Sequence, residues 1–131
     1  IRVFNYGKMT RDFTYIDDVI ESIFGLINKI PKVENNNSKT YYDSSNSWAP
    51  YRVLNIGNSN PTNLSDYIKA IEKNLNKKAE IILEEMQPGD VEATFASTKL
   101  LEELIKFKPR TSINTGIKKF IEWYLSYYIK R

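Results

Sequence analysis

The isoleucine series that begins at Ile16 constrains this chain more than any other feature. Ile16, Val19, Ile20, Ile23, Phe24, Ile27 and Ile30 recur at helical spacing and Pro31 follows, so the pattern predicts a helix over residues 17–30. Its apolar stripe is a packing face and needs a partner surface of comparable width. Ahead of it stands Arg11-Asp12-Phe13-Thr14-Tyr15-Ile16-Asp17-Asp18-Val19. Asp17 and Asp18 fit a helix start, where carboxylates accept backbone N–H groups and face the positive end of the dipole. Arg11 has no such explanation. Beside the turn Gly7-Lys8-Met9-Thr10 it suits an ordinary surface ion pair or, through its paired donors, the grip of a phosphate.

The rest of the chain alternates short β-prone runs with amphipathic helices. Ile1-Arg2-Val3-Phe4-Asn5-Tyr6 reads as a strand ending in Gly7. Residues 32–48 are polar with almost nothing to bury and read as a mobile loop, with Tyr41, Tyr42 and Trp48 as local anchors. Tyr51-Arg52-Val53-Leu54-Asn55-Ile56-Gly57 reads as a strand closed by the turn Asn58-Ser59-Asn60-Pro61. A helix over 63–76 follows, with Asn63 placed to cap Asp66 and Leu64, Tyr67, Ile68, Ile71 and Leu75 on one face. Residues 80–84 read as a short strand. Ser97 is placed to cap a helix carrying Leu100, Leu101, Leu104 and Ile105, which ends near Lys108-Pro109. Ser112 or Thr111 starts the last helix, with Ile113, Ile117, Phe120, Ile121, Tyr124, Leu125 and Tyr128 inward. Such alternation argues for an α/β fold, or α+β where strands pair antiparallel.

Composition removes whole classes of chemistry. With no Cys there is no disulfide framework, thiol nucleophile or thiolate metal site, and with no His no imidazole base or usual zinc set. No metal site is expected. No apolar run reaches the roughly 18 residues of a membrane span and no signal-peptide pattern opens the chain, so a cytoplasmic location is expected. Net charge is +3, and residues 99–131 hold eight Lys and Arg against three Glu. Those lysines are spaced along faces of apolar helices with no aromatic–basic recognition motif beside them. A solvated helix face is expected rather than a contact with nucleic acid or membrane.

Four ordered segments carry a resemblance. They are Arg11-Asp12-Phe13-Thr14-Tyr15-Ile16-Asp17-Asp18, then Ala49-Pro50-Tyr51-Arg52-Val53-Leu54-Asn55-Ile56-Gly57-Asn58, then Met86-Gln87-Pro88-Gly89-Asp90-Val91, then Gly116-Ile117-Lys118-Lys119-Phe120-Ile121-Glu122-Trp123-Tyr124. Together they resemble the extended short-chain dehydrogenase/reductase family of NAD-dependent sugar-nucleotide epimerases and dehydratases. Within it they are most similar to the UDP-glucuronate 4-epimerases of capsule and lipopolysaccharide biosynthesis. Two family features are missing. The five glycines lie far apart, so no Gly-x-x-Gly-x-x-Gly turn exists to cradle a dinucleotide, and none of the nine tyrosines is followed by Lys four residues later. The resemblance therefore implies that residues 1–131 are the C-terminal substrate-binding portion of a longer enzyme, whose Rossmann core, NAD site and catalytic Tyr-x-x-x-Lys lie elsewhere. It further implies that 12–30 and 51–57 normally pack on that missing NAD-binding domain. Left alone, such surfaces would make the chain self-associate, and the full-length protein would be a homodimer.

What the resemblance implies for single residues is binding, not catalysis. Arg11 matches a family Arg on the pyrophosphate of a UDP-sugar, and Asp90 matches an Asp on the ribose hydroxyls. Gln87 stands where many relatives carry Arg, which exchanges a charge for a neutral amide. Without the resemblance, Gln87-Pro88-Gly89-Asp90 reads as an ordinary β-turn. Val3, Phe4 and Asn5 match the strand that holds the uracil, although Phe4 fits a simple core role equally well. Thr94 falls near the hexose. No catalytic and no cofactor-binding residue is expected in this chain, which alone should be inactive. Two other readings share these features: a UDP-glucuronate decarboxylase or sugar-nucleotide dehydratase of the same family, and a stand-alone, non-enzymatic nucleotide-binding module.

Overall fold

The computed structural model describes residues 1–32 and 49–129. The loop expected over 32–48 lies outside them but for its first residue. In chain order come β1 (Arg2–Val3), a short 3-10 turn (Phe4–Gly7), β2 (Thr10–Arg11), α1 (Ile16–Leu26), β3 (Thr62–Asn63), α2 (Leu64–Leu75), β4 (Ile82–Leu83), α3 (Lys99–Ile105) and α4 (Ile113–Tyr128). β1 pairs with β4 in parallel and β2 with β3 antiparallel. Among the described residues no helix is long and apolar enough to cross a membrane.

Two helix pairs hold this frame. α2 packs on α4, where Ala70, Ile117 and Ile121 form a buried cluster flanked by Tyr67, Ile71, Leu75, Ile113 and Leu125. Ser112 starts α4 as the sequence requires, its Oγ accepting the Thr115 N–H at 3.2 Å. Four of the seven residues expected inward on α4 are covered: Phe120, Tyr124 and Tyr128 are exposed and form a row of ring contacts along the helix with Trp123 and Tyr127. α2 ends on Asn76 at φ 52°, a left-handed conformation that Asn tolerates. Asn63 precedes the helix in extended conformation but its side chain caps nothing. Glu72 instead pins the following turn, accepting Ala79 N and Lys78 Nζ, both at 2.9 Å.

The second pair, α1 on α3, departs most from expectation. α1 turns its polar side inward: Ser22 is fully buried, Asp18 is 8% exposed, and Gly25 faces Ile105 closely. The isoleucine stripe faces solvent, with Ile20 46% and Phe24 69% exposed. Nor do the two aspartates cap the helix. Asp18 accepts Thr111 N at 2.8 Å, Arg110 N at 3.1 Å and Thr111 Oγ1 at 2.9 Å, which ties α1 to the loop before α4. The helix also stops at Leu26 rather than Ile30, because beyond it the apolar side chains have nothing to pack against. Of the strand expected at 51–57 only Arg52 makes a bridge: Tyr51 and Val53 are exposed and 53–57 carries no ladder.

Two smaller corrections are local. The opening strand ends at Val3, since Asn5, Tyr6 and Gly7 all take positive φ (49°, 50° and 77°) and turn the backbone away. Thr98, not Ser97, occupies the N-cap of α3, and its Oγ1 lies 2.8 Å from both Glu102 Oε1 and Ser59 Oγ.

Close approach of three segments makes Gly57 irreplaceable. A Cβ there would lie 2.6 Å from Ala96 Cβ and 3.0 Å from Asp12 Oδ2. Gly57→Ala is expected to lower stability by about 1–3 kcal/mol, read as a shift in denaturant midpoint. A midpoint equal to wild type would mean that these segments do not meet.

Acid should loosen two further ties. Glu84 sits below the ordinary glutamate range because Arg2 bonds its carboxylate, and Glu72 does so because Ala79 N–H and then Lys78 bond it. A depressed folded pKa gives stability that is present above the unfolded value, about 4.3, and is lost as pH falls through the folded one. In a side-chain NMR titration these two carboxyls should titrate at lower pH than exposed glutamates. Coincident titration would remove both contacts from the account.

Candidate functional site

β2 is the centre from which a candidate site can be built. Three segments run alongside it. Met9 O accepts Leu64 N at 2.9 Å, Thr10 and Arg11 pair with Asn63 and Thr62, and on the opposite edge Thr10 bridges Ala93 in parallel. There Thr10 N donates to Glu92 O at 2.9 Å and Thr94 N to Thr10 O at 3.2 Å. Residues 90–94 are thereby laid beside Arg11, although they are 79 or more positions away in sequence.

The side chains then meet. Arg11 Nη2 donates to Asp90 Oδ1 at 2.9 Å, and Nη1 donates to Thr10 O at 2.9 Å and Glu92 O at 3.1 Å. The pair is half-buried, with 23% of the Arg11 side chain and 34% of the Asp90 side chain exposed. Asp90 closes a tight turn: its N donates to Gln87 O at 3.2 Å, with Pro88 second and Gly89 third at φ 84°. Pro then a positive-φ Gly is the pattern of a type II turn. Asp90 Oδ1 also accepts Val91 N at 2.8 Å. Thus the sequence's two leading candidates form one neutral, preoriented ion pair beside a rigid turn. Three of the guanidinium's five donors face oxygen acceptors, and Nη2 also lies 4.0 Å from Met9 Sδ. An incoming anion must therefore displace that sulfur, use Nε or compete with Asp90.

The other candidates are arranged around that pair unequally. Thr94 is adjacent, its Oγ1 accepting Asp12 N at 3.1 Å. Gln87 is exposed at the start of the turn. Val3 is buried, Phe4 lies under the Arg2 guanidinium at 5.3 Å, and Asn5 Nδ2 bonds Lys8 O at 2.9 Å. No hydrogen bond or ion pair among the described residues joins Val3, Phe4 or Asn5 to Arg11 or Asp90. They connect only through β4, where Tyr6 N meets Glu84 O at 3.0 Å and Arg2 pairs with Glu84, three residues before Gln87.

Asp12 is the residue that sequence reasoning missed. Its Oδ2 accepts Ser59 N at 3.0 Å and Ala96 N at 3.2 Å, and Oδ1 accepts Asn60 N at 3.3 Å. It fixes the backbone that carries Arg11 and Thr94, yet its neighbours in sequence are Arg11 and Phe13, which gave no sign of partners so far along the chain. A cleft was missed as well. Phe13 stacks on Tyr67 with ring centroids 4.2 Å apart, beside a cavity of about 230 Å³ that Tyr15, Ser112 and Phe120 also line.

Comparison with known proteins gives this arrangement a context. No protein-family model matches the chain. It is 45% identical to protein CapI of Staphylococcus aureus over 99% of its own length and 39% of that protein's. It is 42% identical to a probable UDP-glucuronate 4-epimerase of Rhizobium meliloti, over 95% of the chain and 37% of the relative. Among solved structures, a mutant UDP-glucuronic acid 4-epimerase of Bacillus cereus, in complex with UDP-4-deoxy-4-fluoro-glucuronic acid and NAD, superposes with a TM-score of 0.73 at 25% identity. That match covers 97% of the chain and 35% of the enzyme. The chain thus spans less than two-fifths of the length of the relatives it matches, with the α/β fold that this stretch has in them. A family resemblance carried by four short motifs extends over almost all of the chain, whose homologues are UDP-glucuronate 4-epimerases and structures of the extended short-chain dehydrogenase/reductase family.

Proposed function

We propose that this chain is the nucleotide-sugar-binding, C-terminal part of an NAD-dependent 4-epimerase that converts UDP-glucuronate to UDP-galacturonate. The observation that carries the reading is the Arg11–Asp90 pair at 2.9 Å, held beside the Gln87–Asp90 turn. Arg11 supplies planar charge to the diphosphate, and Asp90 offers acceptors to the ribose hydroxyls as the pair opens. Gln87 and Thr94 add neutral polar groups along the same edge, and Val3, Phe4 and Asn5 form the end that takes the base.

NAD does not fit the residues of this chain. Its glycines are isolated along the sequence, so no glycine-rich strand-to-helix turn can admit a pyrophosphate. No hydride or proton step is assigned to any residue here. What the chain contributes is position: a fixed diphosphate leaves the hexose free to present either face while the nucleotide stays in place. The exposed α1 stripe and the run at 51–57, which carries no ladder beyond a bridge at Arg52, are read as the surface that meets an NAD-binding domain. A homodimeric whole enzyme that works in the cytoplasm on surface-polysaccharide precursors belongs to the same proposal.

Two measurements test it. The purified chain should bind UDP weakly, moving the Arg11, Asp90 and Thr94 signals in NMR, and Arg11→Gln should weaken binding about 10–100-fold, as loss of charge-assisted bonds does. With NAD and UDP-glucuronate added, the chain alone should give no epimer. Turnover above background, or UDP binding indifferent to Arg11, would overturn the assignment.

The exposed stripe makes its own prediction. Ile20→Glu with Ile23→Glu should reduce self-association in sedimentation while leaving the thermal midpoint nearly unchanged, since both side chains are already in water. A large drop in the midpoint would mean that the stripe is a core face.

A further inference from the structure

A second basic feature lies at the far end of α1, about 16 Å of helix from its start beside the Arg11 segment. A cavity of about 440 Å³ opens there between Leu26, Leu54, Leu104 and three cations, Lys29, Lys32 and Arg52. No carboxylate of the described residues lines it. Lys29, Lys32 and Arg52 form no ion pair among the described residues. Arg52 Nε is buried and has no hydrogen-bond partner, whereas the buried Asp18, Ser22 and Thr98 side chains are all answered. A buried charged donor without an acceptor is unfavourable, so this one marks a place where an acceptor belongs.

One simpler account covers part of this. A lysine near the C-terminal end of a helix complements the negative end of its dipole. That explains Lys29, two residues past Ile27, and leaves Lys32 and the buried Arg52 Nε unexplained. The helix end itself repels an anion, but only as a partial charge, and three full positive charges around one cavity exceed it.

We propose that Lys29, Lys32 and Arg52 form an oxyanion-binding site, for a small phosphate or carboxylate compound whose apolar portion rests on Leu26, Leu54 and Leu104. Arg52 supplies the directed donor, and the two lysines add charge at the mouth. The volume suits a small metabolite rather than a bare ion. None of its residues bonds to Arg11 or Asp90 among the described residues. Arg52 and Leu54 do lie in the 51–57 run read as facing an NAD-binding domain, so in a whole enzyme the site sits at that junction.

The test uses the 131-residue chain carrying Arg11→Gln, which silences the first candidate site. Inorganic pyrophosphate and citrate are titrated in parallel, with the Arg52 Nε–H signal followed by NMR. Saturable movement with pyrophosphate alone identifies a phosphate compound, and with citrate alone a carboxylate one. Arg52→Gln on that background should weaken binding about 10–100-fold, the loss expected for bonds to a charged donor. It should fold at least as well as its parent, since it removes a buried unanswered donor. Lys29→Gln with Lys32→Gln, both exposed, should weaken binding with the fold intact. An Arg52 signal unmoved by either probe, or affinity unchanged in both variants, would overturn the site.

Discussion

The Asp12 carboxylate is the contact on which the rest of this structure depends. One side chain accepts backbone N–H groups from Ser59, Asn60 and Ala96, while its own N–H reaches Thr94. Bonds to an ionised acceptor are roughly twice as strong as neutral ones, and each of these holds a segment with no regular ladder of its own. Strands of two residues cannot align such segments unaided. Asp12 supplies the alignment that a longer sheet would give elsewhere. Gly57 allows it by leaving room for the carboxylate and Ala96 together, and Arg11 inherits its position from the residue beside it.

Asp18 plays the corresponding role in the first turn of α1. The aspartate pair reads in sequence as a helix start, and the structure uses it otherwise: Asp17 reaches Lys119 at 3.4 Å, and Asp18 turns inward to Thr111 and Arg110. Local capping rules could not show this, because both partners lie more than ninety residues away. The result is a helix fixed by its polar side. Most of its hydrophobic face, from Ile20 to Ile27, lies in solvent.

What was legible in the sequence follows from this. α2 and α4 were placed to within a residue or two, because their facing apolar residues and the α4 cap are satisfied inside the chain: Ser112 bonds Thr115 N, and Ile71 and Leu75 meet Ile117 and Ile121. Arg11 and Asp90 could be nominated from a resemblance, and their contact was beyond reach of periodicity. The isoleucine stripe and the run at 51–57 were misread in proportion to their strength, since both patterns specify a partner that the described residues do not supply. Tyr6 hid for another reason. A tyrosine at φ 50° costs about 1–2 kcal/mol, so nothing in residue preference would place it there.

The distances spanned by these ties say how the chain must assemble. Arg2 meets Glu84 across 82 positions, Arg11 meets Asp90 across 79, Asp12 meets Ala96 across 84, and Asp18 meets Thr111 across 93. Many interactions of the first eighteen residues are with the stretch from 80 to 111, and the others fall on 59–67 and on Lys119. On a ribosome adding about 5–20 residues per second, those residues wait roughly 4–16 s before their partners exist. Throughout that interval the isoleucine segment is the most hydrophobic part already synthesised. Its early packing is therefore a matter of what emerges before it, and the order of synthesis becomes part of what the sequence encodes.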